Sequence, residues 1–300
     1  MRIAILSRAI DCYSTKRLKE EIVKRNHDCL VLDYAKCSCL VEKANTRIFV
    51  GGQEIQNVCA ILPRISAART SYGAALIRQF ESMKVFSTLS SIALVRSRDK
   101  LRSLQILAKH GINMPKTTFA CHPKDAHNLI KQVGGVPVII KVVEGSCGVG
   151  VMIAETEASA VSVIQSFQHI KTDIIVQQFI TEAKGSDIRA FVINGNIIGA
   201  IKRTSKDGEF RSNLHQGGKA QAIELTDEES SIALCAAKSL GLNIAGVDIL
   251  QSNDGPKVIE VNSSPGLEGI ESATNINVAG EIIAYVEENV SSAIADTVGA

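Results

Sequence analysis

The first third of the chain alternates short apolar runs with amphipathic stretches, and this alternation narrows the possible folds more than any other feature. The apolar runs of strand length occupy 2–6, 29–33, 60–62 and 85–87, and the stretches of helical period occupy 14–25 and 73–83. Strands that alternate with helices form open, mostly parallel sheets, because each helix carries the chain back to the same end of the sheet. We therefore expect an open α/β domain over residues 1–97.

The pattern changes near Arg98. The helix predicted to begin there ends at Gly111, as the C-termini of helices often do. Longer apolar strands separated by glycine turns follow, and Asn194-Gly195-Asn196 is a strong hairpin signal. This pattern predicts that the rest of the chain forms two α+β lobes, a central lobe over 98–181 and a C-terminal lobe over 182–300.

The charge balance and the cysteine pattern indicate which binding partners and which cellular compartment to expect. The chain carries 33 basic and 31 acidic residues, a formal net charge of +2, so we expect no direct nucleic-acid binding and no membrane binding by general attraction. The apolar run at 2–6 is too short for a signal sequence or a membrane span. The 8 cysteines are scattered and form no Cys-x-x-Cys pair. These features predict a cytoplasmic protein with reduced thiols.

A hairpin near the C-terminus places acidic and amide side chains on otherwise apolar strands. If its strands pair around Asp254, Asp248 lies opposite Glu260, and Asn262 projects from the same face. Two carboxylates that face each other repel, and a cation between them removes the repulsion. Oxygen donors on rigid strands favour Mg²⁺, although a solvent-exposed polar face is the alternative. We predict that Asp248, Glu260 and Asn262 are metal ligands.

A lysine in an apolar strand and the glycine-rich loop after it predict contacts with phosphate. Lys141 is the one charged residue of 138–143, and its burial is unfavourable unless it meets an anion. The glycines of the loop 144–150 let backbone N–H groups approach phosphate closely, although an ordinary hairpin is the alternative. The loop is neither a P-loop nor a Rossmann fingerprint, because it lacks Gly-Lys-Ser/Thr and a strand follows it. Lys100, near the start of the predicted helix, is a second candidate, although surface lysines are common on helices.

A basic stretch lies between these two predicted sites. Arg203 ends a predicted strand, and Arg211 and Asn213 lie in a loop bounded by glycines. Arginine can hold the oxygens of a transferring phosphate and stabilise charge that develops in the transition state. We predict Arg203 and Lys141 as catalytic residues, with a basic surface loop as the alternative interpretation.

Taken together, these motifs resemble those of the ATP-grasp superfamily, and more closely those of the RimK-type ligases, which add glutamate to the C-terminus of a small-subunit ribosomal protein. The resemblance covers nearly the whole chain and implies a pre-ATP-grasp domain followed by a two-lobed ATP-grasp domain. Besides the Lys141 strand and its loop, the segments that carry the resemblance are 2–7, 63–65, 98–103, 187–189, 210–215, 245–250, 260–262 and 264–271.

The resemblance also implies which residues contact ATP. In chain order they are Lys100, Lys141, Gln178, Phe179, Asp187, Arg211, Ser212 and Asn213. Lys100 and Lys141 contact the phosphates in this scheme. Gln178 and Phe179 form the edge around adenine, and Asp187 contacts the ribose.

The implied cofactors and partners follow the same resemblance. ATP is the co-substrate, and two Mg²⁺ or Mn²⁺ ions are held by Asp248, Glu260 and Asn262. The implied amino acid is L-glutamate, the implied acceptor is a small-subunit ribosomal protein, and the implied assembly is a homo-oligomer. Two positions depart from the family pattern, since Gln178 stands where Glu is usual and Ser66 where Gly is expected.

The reaction that these sites predict forms an amide. The carboxylate of the acceptor attacks the γ-phosphorus of ATP to give an acyl phosphate and ADP, and an amine then displaces phosphate. Three alternatives share the nucleotide site: an ATP-grasp kinase that phosphorylates a hydroxyl, a nucleotide-binding regulatory protein, and a sibling ligase that acts on a lysine carrier or a coenzyme.

Overall fold

The computed structural model describes residues 1–43, 45–120, 125–143, 150–205 and 218–290. The strands in these ranges are β1 (Arg2–Leu6), β2 (Asp28–Leu32), β3 (Cys37–Glu42), β4 (Asn45–Val50), β5 (Gln53–Glu54), β6 (Ala60–Pro63), β7 (Phe86–Ser87), β8 (Thr117–Ala120), β9 (Val138–Val142), β10 (Val151–Ala154), β11 (Ile174–Gln178), β12 (Ser186–Ile193), β13 (Asn196–Thr204), β14 (Lys219–Ile223), β15 (Ile244–Leu250) and β16 (Lys257–Asn262). The α-helices are α1 (Tyr13–Lys24), α2 (Thr70–Ser82), α3 (Ser91–Arg98), α4 (Lys100–Lys109), α5 (Ala126–Gln132), α6 (Glu157–His169), α7 (Asp227–Leu240), α8 (Glu268–Thr274) and α9 (Val278–Asn289).

The N-terminal sheet is parallel, as the alternation of apolar runs predicts. Its strand order is β2-β1-β6-β7, and each neighbouring pair is parallel. Ile3 and Ile5 of β1 are buried in a cluster with α1 and α9, whereas Ala4 and Leu6 are buried in a second cluster with α2 and α3. Burial on both faces explains why β1 is a continuous apolar run instead of an alternating one.

A small antiparallel sheet, β3-β4-β5, extends this domain. In the sequence, Gly51-Gly52 predicts a hairpin. The structure confirms it between β4 and β5, where the two glycines have φ values of 58° and 81°. Such positive φ values favour glycine, because a Cβ atom would be strained there. The strand β3, by contrast, was not part of the sequence prediction, since five of its six residues are exposed and carry no apolar alternation.

The central lobe consists of the antiparallel sheet β10-β9-β11-β8 with α5 and α6 packed on one face. Val138 and Ile140 of β9 are fully buried in this helix-covered core. Because side chains alternate along a strand, Lys141 projects from the opposite face, away from α5 and α6. The uncovered face of this sheet therefore carries the lysine.

The C-terminal lobe is built on the antiparallel sheet β14-β13-β12-β15-β16. Ile188, Ala190 and Val192 of β12 pack against the side where α7 lies, while Phe191 and Ile193 pack against α9 on the other side. The alternation of β12 thus places Asp187 and Arg189 on the α9 side, beyond the apolar part of that face. Half of one sheet face is apolar and packed, and the other half is charged.

The helix predicted to begin at Arg98 is α4, which begins two residues later, and the preceding helix α3 was not predicted. α3 ends at Arg98, and α4 begins at Lys100. Asp99 separates them because its carboxylate accepts a hydrogen bond from the backbone N–H of Arg102, 2.9 Å away, which caps α4. Lys100 therefore occupies the first turn of α4.

The open α/β domain and the two-lobed part confirm the predicted fold class. The boundaries at 98 and 182 between the three predicted domains stay a prediction. Across the ranges that the structure describes, no helix is both long and apolar enough to cross a membrane.

Candidate active site

The register of the C-terminal sheet places charged residues from four neighbouring strands on one face. Arg203 of β13 lies opposite Asp187 of β12, and Arg189 of β12 lies opposite Asp248 of β15. Asp248 in turn lies opposite Glu260 of β16, as predicted from the sequence. Two of these pairs join a cation to a carboxylate, whereas the third sets two carboxylates opposite each other. We call these five residues the charged face.

Asp248 is the centre of the charged face, because two arginines contact it. Arg189 donates from Nε to Oδ1 and from Nη2 to Oδ2, both at 2.6 Å. Arg203 Nη2 lies 3.1 Å from Oδ2 of the same carboxylate. Burial alone raises the pKa of Asp248, but the positive charges of Arg189 and Arg203 outweigh it, so that the pKa is lowered. Asp248 is thus held as a carboxylate in a site where it is 3% exposed.

Arg203 is buried against Asp187. Its Nε donates to Asp187 Oδ1 at 2.6 Å, and its Nη2 donates to Oδ2 of the same side chain. Burial lowers the pKa of Arg203, yet the adjacent carboxylates of Asp248 and Asp187 raise it overall. Arg203 is 3% exposed and Asp187 is 6% exposed. Both oxygens of Asp187 therefore accept hydrogen bonds from the protein, an arrangement that the sequence prediction of a ribose contact did not anticipate.

Glu260 differs from the other carboxylates of the charged face. It is exposed to solvent, and within the described ranges it makes no ion pair and accepts no hydrogen bond. Surrounding protein atoms nevertheless reduce the hydration of its carboxylate, and this effect together with the charge of Asp248 raises the pKa of Glu260. A bulge in β16 beside Asp248 shifts the register, so that Ile249 pairs with Val258. The bulge is not visible in the apolar pattern of the sequence.

Asn262 lies opposite Gly246, two residues beyond Glu260 and on the same face. Its amide nitrogen lies 3.5 Å from the carbonyl oxygen of Gly246 and 3.4 Å from Oδ2 of Asp248. No donor among the described residues reaches its Oδ1. The amide therefore contacts Asp248 through nitrogen and leaves its oxygen available to a ligand.

These oxygen donors fit a divalent cation. The carboxylate of Glu260 lacks a cationic partner in the described part of the chain, and it faces a second carboxylate across the ladder. A hard cation with oxygen ligands removes that repulsion and uses Oδ1 of Asn262 as well. Among the residues that the structure describes, no group of three or more His, Cys, Asp or Glu side chains could hold a metal, so the amide of Asn262 is the third ligand that this site offers.

Two lysines approach the charged face from other elements. Lys141 of β9 donates to Oε1 of Gln177 at 2.7 Å, and Lys100 of α4 donates to the carbonyl oxygen of Val143 at 2.8 Å. Burial lowers the pKa of Lys141 to about 8. The charge of Glu260 raises this pKa, and the charge of Lys100 lowers it further. Burial likewise lowers the pKa of Lys100, against the upward effect of Glu260. Because their charges influence the pKa values of one another, both lysines lie near Glu260, and we call the space between these three residues the cleft.

The predicted adenine residues lie at the edge of the central lobe. Gln178 ends β11, and its Oε1 accepts from the backbone N–H of Lys116 at 3.3 Å. Phe179 follows it, and both are partly exposed. The neighbouring Gln177, which the sequence prediction missed, is the residue that contacts Lys141. Arg211, Ser212 and Asn213, also predicted to contact the nucleotide, lie outside the described residues.

Arg189 is the other functional candidate that sequence reasoning missed. It lies in the segment 187–189 that carried the family resemblance, but no role was predicted for it. The sequence did place Arg189 on the same face of its strand as Asp187, because residues two apart in a strand share a face. An arginine on that face is expected to pair with a carboxylate such as that of Asp248, the predicted metal ligand, if the two strands are neighbours. The signal could be used only once the pairing of β12 with β15 was known.

The comparisons with known proteins agree with this geometry. A family model described as the RimK PreATP-grasp domain matches residues 1–94, and one described as the RimK-like ATP-grasp domain matches residues 97–286. A protein of Vibrio vulnificus (strain YJ016) named "Probable alpha-L-glutamate ligase" is 53% identical over 289 residues, which cover 96% of each chain. A protein of the same name from Hydrogenovibrio crunogenus is 50% identical over 289 residues, again 96% of each chain.

Solved structures share the fold at low sequence identity. The ATP-grasp ligase PsnB complexed with precursor peptide PsnA2 and AMPPNP has a TM-score of 0.75 and 22% identity, over 97% of this chain and 98% of that chain. The D-alanine–D-alanine ligase of Bacillus anthracis complexed with ATP has a TM-score of 0.70 and 20% identity, over 97% and 98% of the two chains.

The fold, the facing lysines and the charged face define an ATP-grasp enzyme, and the protein is a ligase of that class. Both family models together match nearly the whole chain. The chain belongs to the RimK family.

Proposed function

We propose that this protein uses ATP and Mg²⁺ or Mn²⁺ to join the α-amine of L-glutamate to a carboxylate of a peptide acceptor. The observation that carries the proposal is the register that sets Asp248 opposite Glu260 on the charged face, with Lys100 and Lys141 near Glu260. Positive groups suit a triphosphate, and oxygen ligands suit the metal that accompanies it. The cleft offers no side-chain nucleophile among these residues, so we assign the attack to the substrate.

The reaction proceeds in two steps. An oxygen of the acceptor carboxylate attacks the γ-phosphorus, the bond from that phosphorus to the β,γ-bridging oxygen breaks, and ADP leaves. The amine nitrogen then forms a bond to the acyl carbon, the C–O bond to phosphate breaks, and the leaving electron pair goes with phosphate while the amine loses its extra protons to solvent. Positioning and charge neutralisation carry the catalysis.

We assign the metal to the oxygen donors of β15 and β16. Asp248, Glu260 and Asn262 would hold two ions, Mg²⁺ or Mn²⁺, and a bound ion would supply positive charge to the phosphate oxygens. Arg189 fixes the carboxylate of Asp248 through two hydrogen bonds, so that the ligand is oriented before the metal arrives.

We assign the cationic side chains to the phosphates. Lys141 and Lys100 contact ATP phosphates from the central-lobe side of the cleft. Arg203 would lie in the sheet beneath the phosphates, where its hydrogen bond to Asp187 fixes its position. Because Arg203 is buried, it contributes mainly by orienting Asp248 and by adding positive potential under the phosphates.

The remaining nucleotide contacts are proposals from the family resemblance. Gln178 and Phe179 form the edge around adenine, in keeping with their partial exposure at the end of β11. Arg211, Ser212 and Asn213 line the nucleotide site. The proposal that Asp187 contacts ribose requires it to do so while both of its oxygens accept from Arg203.

The substrate proposal draws on the names of relatives and neighbours. The curated relatives are named alpha-L-glutamate ligases, and the neighbour PsnB was solved with a precursor peptide. We propose L-glutamate as the amino acid, the C-terminus of a small-subunit ribosomal protein as the acceptor and a homo-oligomeric assembly. A ribosomal acceptor places the reaction in the cytoplasm.

The experiment is phosphate release by purified protein with ATP, Mg²⁺ and L-glutamate, with and without small-subunit ribosomal proteins, followed by mass spectrometry of those proteins. Masses that rise in glutamyl steps support the whole proposal. Glutamate-dependent phosphate release without modification of a ribosomal protein retains the ligase and rejects this acceptor. A stable phosphoester product without phosphate release indicates a kinase and rejects the proposed reaction.

A further inference from the structure

The small sheet β3-β4-β5 ends at β3, and within the described ranges no strand pairs with the outer edge of β3. β3 pairs with β4 in an unbroken register from Cys37 to Glu42. Natural proteins usually protect an edge strand with lysine, proline or a bulge, because an open edge pairs readily with another strand. The sequence of β3, Cys-Ser-Cys-Leu-Val-Glu, contains neither lysine nor proline. The outer edge is therefore open to a further strand.

The hydrogen bonds of the neighbouring strand show which backbone groups of β3 point outwards. In an antiparallel sheet, the N–H and C=O of one residue point to the same side, and successive residues alternate between the two sides. The carbonyl oxygen of Ile48 in β4 accepts from the backbone N–H of Ile55 at 2.8 Å, so Ile48 points towards β5. Cys39 lies opposite Ile48, and its N–H and C=O therefore point away from β4. Val41, two residues on, points the same way.

The helix α2 contacts one end of the outer edge. Tyr72 donates its hydroxyl to the carbonyl oxygen of Cys37, which agrees with an outward direction for the backbone of Cys37 as well. A carbonyl oxygen accepts two hydrogen bonds, so this one can accept from a second donor. Towards the other end, Val41 is 74% exposed and Leu40 is 37% exposed. The outer edge thus combines outward-pointing backbone groups with exposed apolar side chains.

The outer edge is complementary to a second copy of itself. If two β3 strands pair antiparallel about Cys39, each Cys39 lies opposite its own copy, and Cys37 lies opposite Val41 of the second copy. All three residues point their N–H and C=O groups outwards, so each of these pairs is a hydrogen-bonded pair. The exposed side chain of Val41 then packs beside Cys37, and that of Leu40 beside Ser38. Backbone donors and acceptors are matched without any change in β3.

The charges that flank β3 favour this register over its neighbours. Lys36 directly precedes the strand, and Glu42 is its last residue. Pairing about Cys39 sets Lys36 of each copy opposite Glu42 of the other, whereas pairing about Leu40 or Val41 does not. Opposite charges that face each other across a ladder stabilise the pairing, and the two-fold symmetry supplies two such pairs.

Both charged side chains can reach a partner. The side chain of Lys36 is 76% exposed and lies 3.9 Å from Asp33. The side chain of Glu42 is 44% exposed. It accepts hydrogen bonds from Asn45 and Arg47 through Oε1, and no donor among the described residues reaches Oε2. A carboxylate oxygen is therefore available to the ammonium group of a second copy.

We propose that two copies of this chain associate through β3, which forms one continuous sheet with the strand order β5-β4-β3-β3-β4-β5. A two-fold axis at Cys39 relates the copies, so the same surface is used on both sides, as in most homodimers. The inference gives an interface to the homo-oligomer of the proposed function and rests on that part of it.

The test measures the mass of the full-length protein by sedimentation equilibrium over a range of concentrations, without substrates. Wild type should form dimers at micromolar concentration. Cys39→Lys sets two lysines directly opposite each other and should raise the dissociation constant at least about 10-fold. Cys39→Ser is the matched control, because its side chain is small and uncharged, and its constant should stay within about 2-fold of wild type. If wild type forms a larger assembly, Cys39→Lys should halve its mass.

A second pair of variants tests the register. Lys36→Glu sets two carboxylates opposite each other at both ends of the interface and should raise the dissociation constant roughly 2- to 30-fold. Lys43→Glu makes the same change in charge one residue beyond Glu42. It should have no effect, because in this register Lys43 lies opposite Ala35, outside β3.

Cross-linking tests the interface without any variant. Residues directly opposite each other in a hydrogen-bonded pair have Cα atoms about 5.5 Å apart. Cys39 is exposed within one chain, so a short bis-maleimide should join Cys39 to Cys39 of the second copy, as identified by mass spectrometry of peptides. Cys235 of α7 is also exposed and is the control for random collision, since it should link to its own copy far more slowly.

The possible failures are distinguishable. A monomeric wild type would overturn both this interface and the homo-oligomer of the proposed function. An oligomer whose mass is the same in Cys39→Lys, or one that yields no link between two Cys39 residues, would reject β3 and keep the oligomer. Amide formation is measured separately, so its absence from a protein that associates through β3 would reject the proposed reaction alone.

Discussion

Arg189 binds both carboxylate oxygens of Asp248, at 2.6 Å each, across the neighbouring strands β12 and β15. The pairing keeps Asp248 ionised in a buried position. Glu260, directly opposite Asp248, has no such partner among the described residues. The protein therefore orients one carboxylate of the facing pair through an ion pair and does not do so for the other. This asymmetry leads to different expectations for the two residues.

Substitution of Glu260 should abolish turnover without unfolding the protein. Glu260→Ala removes a solvent-exposed side chain that makes no ion pair in the described ranges, so the free energy of unfolding should change by less than about 0.5 kcal/mol. Phosphate release measured over a range of Mg²⁺ concentrations, together with urea denaturation, checks both parts. Turnover that recovers fully at saturating Mg²⁺ would show that Glu260 does not hold the metal.

Substitution of Asp248 should affect both activity and stability. Asp248→Ala leaves the buried guanidinium of Arg203 with one carboxylate instead of two, and it removes the partner of Arg189. Loss of one partner from a buried ion pair costs about 3 to 5 kcal/mol. The conservative control Asp248→Asn keeps the shape and should lose activity with a smaller loss of stability. Equal urea midpoints for Asp248→Ala and wild type would contradict this account.

The pair formed by Arg203 and Asp187 should show strong coupling. Arg203→Met leaves the Asp187 carboxylate buried without its cation and should destabilise by about 3 to 5 kcal/mol, whereas Asp187→Leu with Arg203→Met should regain most of that loss. The exposed pair of Arg2 and Asp28 is the matched control, for which Arg2→Met should change stability by about 0 to 1 kcal/mol. Additive effects of the two buried substitutions in urea unfolding would contradict the coupling.

The pKa of Lys141, lowered by burial to about 8, sets a pH dependence. Below that pH the side chain is charged and attracts phosphate, and as pH rises through about 8 the charge is lost, so kcat/KM for ATP should fall on the alkaline side. Lys141→Arg remains charged throughout this range and should remove that alkaline limb, whatever its absolute rate. A wild-type profile that stays flat to pH 10 would contradict the role of Lys141.

The sheet register explains what the sequence could and could not predict. Asp248, Glu260 and Asn262 were predictable because polar residues at alternate positions interrupt two apolar strands around a glycine turn. The partners of Asp248 were not predictable, because Arg189 and Arg203 come from strands whose neighbours depend on the tertiary fold. Local patterns define the face of a strand, but they do not define which strand lies beside it.

The same limit applies to smaller features of the fold. The parallel N-terminal sheet followed from the alternation of strand-length apolar runs with helical stretches, since each helix returns the chain to the same end of the sheet. The start of α4 after Asp99 was missed, because an aspartate near the beginning of a helical pattern can be either a helical residue or a cap. The contact between Gln177 and Lys141 depends on the pairing of β9 with β11 and could not be read from either strand alone.

The most direct test of the acyl-phosphate mechanism is the fate of the acceptor's carboxylate oxygens. With an acceptor peptide whose reacting carboxylate carries ¹⁸O, the protein should transfer one ¹⁸O atom into inorganic phosphate for each amide that forms, as detected by mass spectrometry of the released phosphate. Glu260→Ala should release no labelled phosphate. Amide formation accompanied only by unlabelled phosphate would show that the carboxylate does not attack phosphorus and would contradict the account.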